Sequence, residues 1–66
     1  MLKNFSNSEM SNLIDEWIHN ERDRKILKRR LIDGVIYEKI AEEFNLSVVH
    51  IKNIVHKSKN ELIKHF

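Results

Sequence analysis

The sequence predicts an all-α domain built from four helices, the last two of which are joined by a tight turn. Apolar residues recur at helical spacing in separate segments, and no segment shows the alternation typical of a strand. The breaks between these segments carry Ser, Asn or Gly, which favour helix ends. Because 66 residues provide only a small core, we expect residues 1–66 to form a single domain.

The first helix is predicted to begin near Asn7. Ser6 and Glu9 have the spacing of a capping box, in which each side chain accepts a hydrogen bond from the other residue's backbone N–H. Apolar residues at offsets 0, 3, 4, 7 and 8 share one face of this helix: Met10, Leu13, Ile14, Trp17 and Ile18. We therefore interpret Trp17 as a packing anchor in the core rather than as a stacking platform.

The second helix is predicted to follow Asn20, whose side chain can cap it. Its acidic first turn and basic last turn suit the helix dipole, with Glu21 and Asp23 followed by Lys28, Arg29 and Arg30. Gly34 is expected to end the helix in the left-handed conformation. Arg30 falls within the apolar stripe, so we expect its stem to pack on the core. Its head would either pair with an acid such as Glu42 or contact a phosphate.

The third helix is predicted over residues 37–44. It would bury Ile40, Ala41 and Phe44 and expose Glu38, Lys39, Glu42 and Glu43. Its start is poorly marked, because Ile36 occupies the position at which a Ser or Thr cap is expected. Asn45 follows as the turn residue, since Asn tolerates positive φ better than any other residue except glycine.

The fourth helix is predicted over residues 47–64, with Ser47 as its cap. Its inward stripe consists of Ile51, Ile54, Val55, Ser58 and Leu62, and Phe66 would extend it. Its outward face consists of Val49, Lys52, Asn53, His56 and Asn60. The net charge of the chain is +2, and residues 45–66 carry four lysines against one glutamate. We expect any anion-binding surface at this end, although a solvated surface position is the commoner role of a single lysine.

Composition and pattern exclude several classes of function. The chain has no cysteine, which excludes disulfides and thiolate metal sites, and His50 and His56 point to different sides of their helix. No nucleophile, base and orienting group converge, so we expect no enzyme, no catalytic residue, no metal and no cofactor. No apolar run approaches the ~20 residues that span a bilayer, and residues 1–12 lack the apolar segment of a signal peptide. We therefore expect a cytoplasmic protein that binds no membrane.

Residues 37–56 have the spacing of two short helices that cross steeply. The small Ala41 lets the helices approach each other, and Asn45 makes the tight turn between them. Leu46, Ile51 and Ile54 then close the core and leave the other face of the second helix free. A protruding helix of this kind fits the major groove of DNA, where base edges present distinguishable donors and acceptors. The pattern therefore predicts a helix-turn-helix that binds double-stranded DNA.

Residues 10–65 resemble region 4 of the bacterial sigma-70 family. The likeness includes ERDRKIL, Arg30, Gly34, YEKIAEEF and LSVVHIKNIVHKS. The helix-turn-helix alone also resembles the LuxR-type module, mainly at Ile51, Lys52 and Asn53, but that module adds a dimerising helix after the recognition helix. The sigma-70 resemblance implies DNA as a partner and RNA polymerase as a candidate partner. The chain has no room for the regions that bind and melt a −10 element, so we expect that it is not a complete sigma factor of the usual kind.

The resemblance also implies where DNA would be contacted. The positions that face bases and nearby phosphates are Val48, Val49, His50, Lys52 and Asn53. The positions near the DNA backbone are Arg30, Tyr37 and Lys57. The family commonly has Arg and Glu at the first two of these positions, so its sequence preference does not transfer to a chain with two valines there. Asn53 is the best candidate base reader, because its amide can form two hydrogen bonds with adenine, worth roughly 1 to 3 kcal/mol of discrimination.

Two functions are consistent with this pattern. The first is a sequence-specific DNA-binding transcription regulator from a phage, mobile element or bacterium, which acts as a homodimer or is held on DNA by a larger partner. The second is a protein-binding adaptor that keeps the fold and contacts RNA polymerase or another regulator without reading DNA. Val49 suits either function, because an exposed valine can touch a thymine methyl or an apolar protein surface.

Overall fold

The computed structural model describes residues 5–65, and this part of the chain forms four helices. They are α1 (Asn7–Trp17), α2 (Glu21–Leu31), α3 (Tyr37–Phe44) and α4 (Val48–Ile63). No strand occurs within the described range, which confirms an all-α fold with a helix-turn-helix formed by α3 and α4. Ser47 and Lys64 are the caps of α4, so the predicted bounds of this helix are right to within one residue. The predicted extension of its inward stripe by Phe66 lies outside the described residues.

Short polar side chains start α1 and α2 as predicted. Ser6 Oγ accepts from the Glu9 N–H at 3.2 Å, and the Ser6 N–H donates to Glu9 Oε1 at 3.0 Å, which completes the capping box. Asn20 Oδ1 accepts from the Asp23 N–H at 3.1 Å. Each cap of this kind stabilises a helix by about 1 kcal/mol. The two helix starts are therefore fixed by hydrogen bonds between residues close in sequence.

Two residues with positive φ make the sharp turns. Asn45 has a φ of 56° and ends α3 in the left-handed conformation, as predicted. Gly34 has a φ of 68° and shapes the loop between α2 and α3, where the Val35 N–H donates to the Arg29 carbonyl at 3.1 Å. α2 already ends at Leu31, so Gly34 turns the chain just beyond the helix rather than ending the helix itself.

The core is formed by one face of each helix. Its buried apolar residues are Met10, Ile14, Ile18, Ile26, Leu27, Ile40, Ala41, Ile51, Ile54, Val55 and Leu62. The inward stripe of α4 is confirmed in full, including the buried polar residue Ser58. Other residues predicted for the core are only partly buried and pack against its edge: Leu13, Trp17, Phe44 and Leu46. Because α4 contacts all three other helices, its inner side is held by the core and its outer side is left free.

Ion pairs join α2 to both neighbouring helices. Arg29 donates from Nε to Glu43 Oε1 at 3.0 Å, and a second guanidinium hydrogen bond reaches Glu43 Oε2. These hydrogen bonds lower the pKa of Glu43 from its ordinary value. Arg29 also donates from Nη1 to Asp33 Oδ2 at 3.0 Å. On the other side of α2, Lys28 Nζ lies 2.7 Å from Asp15 Oδ1 of α1. α2 is therefore fixed between α1 and α3 by charge as well as by packing.

Candidate nucleic-acid interface

The first turns of α4 carry the five residues implied as contacts to bases and nearby phosphates. Ser47 Oγ accepts from the His50 N–H at 3.0 Å and so fixes the start of the helix. Four of the five side chains are exposed to solvent: Val49, His50, Lys52 and Asn53. Val48 is partly buried and packs against the core, so it lies at the edge of the exposed face. The exposed set forms a surface that a ligand can reach without any rearrangement of the core.

The exposed face of α4 has a central row and two flanks. The row, which we call the α4 crest, lies opposite the buried stripe and consists of Val49, Asn53, His56 and Asn60. Successive residues of an α-helix are about 100° apart around its axis. This spacing places Lys52 roughly 70° to one side of the α4 crest and Lys57 roughly 70° to the other. The two lysines therefore lie on opposite flanks of the α4 crest, and a helix in the major groove has a phosphate backbone on each side.

Three of the implied contact residues come together although they belong to three different helices. The Arg30 guanidinium carbon lies 4.3 Å from the centroid of the Tyr37 ring, and Lys52 Nζ lies 5.8 Å from the same centroid. Cations near a ring face are attracted by the negative potential of the π-system. This Arg30–Tyr37–Lys52 cluster connects α2, α3 and the Lys52 flank of α4.

The expected ion pair between Arg30 and Glu42 is not formed, and within residues 5–65 Arg30 has no acidic partner. Its Nη1 donates instead to the Val35 carbonyl at 3.1 Å, and its stem is partly buried as predicted. The acid that pairs across the α2–α3 contact is Glu43, and its partner is Arg29. Consecutive residues of α3 point about 100° apart, so a helix turned to bring Glu43 against α2 leaves Glu42 in solvent.

Lys57 lies apart from the Arg30–Tyr37–Lys52 cluster. It borders a shallow groove between α4 and the α1–α2 corner, together with Trp17 and Asn20. Trp17 packs against the core as predicted, but its ring also stacks on His65, with centroids 3.6 Å apart and planes 9° from parallel. The stack joins two residues of this chain, so it is a packing contact and does not contradict the prediction that Trp17 is a packing anchor. No local pattern signals the contact, because the two rings are brought together only by the packing of α4 on α1.

Charge is distributed unevenly over the surface of the domain. Within the described part of the chain, three lysines of α4 have no acidic partner: Lys52, Lys57 and Lys59. The outer face of α3 carries the exposed acids Glu38 and Glu42, which separates negative from positive surface. No group of three or more His, Asp or Glu side chains in residues 5–65 is placed to hold a metal ion. Each helix in that range is too short or too polar to span a bilayer.

Comparison with known protein families identifies the domain. A family model described as sigma-70, region 4 matches residues 20–62, from the cap of α2 to near the end of α4. The matched range contains all the implied contact residues, and nothing in it supports the LuxR-type alternative. Neither a curated protein nor a solved structure shows significant similarity to the chain. Because the match covers well over half of its length, the chain belongs to the sigma-70 region 4 family of DNA-binding helix-turn-helix domains.

Proposed function

We propose that this chain is a sequence-specific DNA-binding transcription regulator that inserts α4 into the major groove. The observation that carries the proposal is the α4 crest with an unpaired lysine on each flank. The crest offers amide, imidazole and methyl groups to base edges, and the lysines offer positive charge to phosphates on both sides. Membership of a DNA-binding family supports the general role, and the reading of a particular sequence is the specific part of the proposal.

Each exposed residue of the interface has a distinct proposed role. Asn53 forms two hydrogen bonds with an adenine, and Val49 contacts the methyl group of a thymine. His50 adds a hydrogen bond from the first turn of α4, and Val48 contributes an apolar contact at the edge of the interface. Lys52 reaches bases and nearby phosphates on its flank. Specific recognition therefore depends mainly on the polar side chains, since the valines donate no hydrogen bond.

Backbone contacts are proposed on both flanks of the α4 crest. Lys57 neutralises a phosphate on the side of the α1–α2 corner. On the opposite side, Arg30 and Tyr37 lie near the backbone together with Lys52. Phosphates on both sides of the groove are therefore met by lysines of α4, and on one side Arg30 and Tyr37 lie beside the lysine.

The proposed regulator does not act on DNA alone. A single α4 reads one half-site, and a few phosphate contacts give only modest affinity. Sigma-70 region 4 domains bind RNA polymerase as well as DNA, so RNA polymerase is one proposed partner of this chain. The other is a second copy, which would place two α4 helices on half-sites about one helical turn apart. We propose that the chain forms one domain, works in the cytoplasm and has no catalytic activity.

A protein-binding adaptor is the second candidate function, and one observation favours it. Two apolar side chains at the start of α3 and of α4 are largely exposed, with Ile36 at 60% and Val49 at 67%. Exposed apolar surface is typical of protein contacts. In this alternative the domain contacts RNA polymerase or another regulator through these residues and does not read DNA.

The salt dependence of DNA binding separates the two functions. Fluorescence anisotropy with labelled AT-rich and random duplexes should show binding whose logarithmic affinity falls by about 0.9 per contacted phosphate for each decade of salt. An adaptor that uses apolar contacts to proteins should not show this salt-dependent binding to DNA. Failure to bind either duplex below about micromolar concentration at low salt would contradict the proposal, because even non-specific phosphate contacts should appear there. Selection from a random DNA pool would then test specificity, and an unenriched pool would leave only general DNA binding.

A further inference from the structure

The start of α3 is held without the side-chain cap that starts the other three helices. Its cap residue is Ile36, which makes no capping hydrogen bond and whose side chain is exposed. α3 nevertheless has to be fixed accurately, because it sets the position of the turn at Asn45 and therefore the direction of α4. The position of this helix start therefore depends on contacts other than a side-chain cap.

Arg30 of α2 contacts the residues on both sides of Ile36. Its Nη1 donates to the Val35 carbonyl at 3.1 Å, just before the cap residue. Its guanidinium carbon lies 4.3 Å from the ring centroid of Tyr37, the first residue of α3. A planar guanidinium suits both contacts at once, since its edge donates hydrogen bonds while its face lies over an aromatic ring. Arg30 therefore fixes the start of α3 from the neighbouring helix.

The same ring extends this contact to α4. Lys52 Nζ lies 5.8 Å from the Tyr37 centroid, and Lys52 has no acidic partner within the described residues. The Tyr37 ring, which also packs against the core, thus lies close to both cations. The contacts form a series from α2 through α3 to the exposed face of α4.

We propose that Arg30 is a positioning residue of the interface, which acts through Tyr37 to place Lys52 and the start of α3, rather than a direct phosphate ligand. This inference rests on the proposed DNA-binding function only for its consequence at DNA. A direct ligand would contribute one phosphate contact of its own. A positioning residue affects the number of phosphate contacts only through Lys52, so its removal does not reduce that number further once Lys52 is absent.

The first test uses the free protein and needs no DNA. The ε-methylene protons of Lys52 should show an upfield ring-current displacement in the NMR spectrum, which Tyr37→Leu removes. Arg30→Met should remove most of the same displacement, and so should Arg30→Lys, because an ammonium group does not reproduce the planar stack. Arg24→Met is the matched control, since Arg24 lies on the same helix away from the ring, and it should leave Lys52 unchanged. Methyl shifts of Ile14 and Leu62 report whether each variant keeps its core.

An unchanged Lys52 signal in a folded Arg30→Met or Arg30→Lys protein would overturn the proposal. If Arg30→Met does not fold, Arg30→Lys provides the same comparison. Tyr37→Leu gives the Lys52 chemical shift expected when the ring-current displacement is lost completely. Failure of both Arg30 variants to fold while Arg24→Met folds would also overturn it, because Arg30 would then stabilise the whole domain rather than position one lysine.

The second test measures the salt dependence of DNA affinity in a double-mutant cycle. Arg30→Met should reduce the slope by no more than Lys52→Ala does, about 0.9, which corresponds to one phosphate. In the Lys52→Ala background, Arg30→Met should reduce the slope no further. A further loss of about 0.9 in that background would identify Arg30 as a phosphate ligand in its own right and overturn the proposal. If neither the unmodified protein nor any variant bound DNA, the proposed function would be wrong. The NMR comparison would still decide whether Arg30 positions Lys52.

Discussion

α2 and α4 both carry positive charge, but within residues 5–65 most cations of α2 are paired with acids of this chain, whereas the lysines of α4 are not. α2 has six cationic side chains: Arg22, Arg24, Lys25, Lys28, Arg29 and Arg30. Four of these have acidic partners among the described residues: Arg22, Lys25, Lys28 and Arg29. α4 has only Lys52, Lys57 and Lys59, and none of them is paired there. The number of cations along a helix therefore does not show how many of them are left unpaired.

The difference arises from the neighbours of each helix. α2 lies between α1 and α3, which supply Asp15 and Glu43 as partners. α4 turns its lysines away from the core, and its sequence contains a single acid, Glu61, in its last turn. Unpaired charge on α4 remains available to a phosphate backbone, whereas a phosphate approaching Lys28 or Arg29 of α2 would have to displace carboxylates that are already bound.

The largest expected effect concerns the inner side of α4. Ile51→Ala removes a side chain that is 0% exposed and should lower the free energy of unfolding by about 2 to 5 kcal/mol, because a cavity forms in the core. Urea denaturation followed by circular dichroism measures the change. Val49→Ala is the matched control on the outer side of the helix, and it should change stability by less than about 0.5 kcal/mol. Equal losses in the two variants would contradict the division of α4 into a structural and a free side.

The next largest effect concerns recognition of bases by the exposed face of α4. Asn53→Ala should reduce discrimination at one or two base pairs by roughly 1 to 3 kcal/mol, because the amide that pairs with adenine is lost. Competition binding with singly substituted duplexes measures this. Lys52→Ala should instead weaken binding to all duplexes alike. If Asn53→Ala also weakened every duplex equally, Asn53 would have no role in base reading.

A smaller effect compares the charge of the two helices directly. Lys57→Ala on α4 should reduce the salt slope of DNA affinity by about 0.9, because one phosphate contact is lost. Lys25→Ala on α2 should leave the slope unchanged, since Lys25 Nζ already lies 3.4 Å from Glu21 Oε1. Anisotropy titrations at several salt concentrations measure both variants. A slope that changes as much for Lys25 as for Lys57 would show that pairing does not decide which cations bind DNA.

The smallest effect concerns the ion pair between Arg29 of α2 and Glu43 of α3. Hydrogen bonds from Arg29 lower the pKa of Glu43 below its ordinary value of 4.5. A carboxyl group whose pKa is lower in the folded state stabilises the fold above about pH 4.5 and loses that contribution as the pH falls through the folded pKa. The thermal unfolding midpoint should therefore decrease as the pH falls below 4.5, and Glu43→Gln should reduce this decrease.

Thermal denaturation between neutral and acidic pH measures this effect, with Glu42→Gln as the control because Glu42 has no ion-pair partner within residues 5–65. Part of the decrease should remain in Glu43→Gln, since the backbone N–H of Ser6 lowers the pKa of Glu9 as well. Identical pH profiles in the two variants would mean that the Arg29 contact does not stabilise the fold.

The helix ends could be predicted from the sequence because their signals are local. Ser6, Asn20 and Ser47 each cap an N–H three residues away, so their spacing to that residue is visible in the chain. Asn45 adopts positive φ through a property of its own side chain. The inward stripe of α4 was also predictable, because the period of an α-helix determines which residues share a face.

Contacts between helices were less predictable, because they depend on how each helix is turned about its axis. Glu42 was one of the partners considered for Arg30, but the rotation of α3 brings Tyr37 to Arg30 and Glu43 to Arg29. The resemblance to a known family named the residues of the candidate interface, and the structure adds which of them meet. Their contacts to DNA stay predictions.

Because Trp17 stacks on His65, the intrinsic fluorescence of the protein reports on one defined contact. Trp17 is the single tryptophan in the sequence, so all indole emission comes from the place where the end of α1 meets the turn after α4. That place lies at the far end of α4 from its first turn, about 24 Å away along a helix of 16 residues. Because Trp17 and Lys57 line the same groove, emission that changed during a titration with unlabelled DNA would report an event at this end of α4, and not the contact of a base with its first turn.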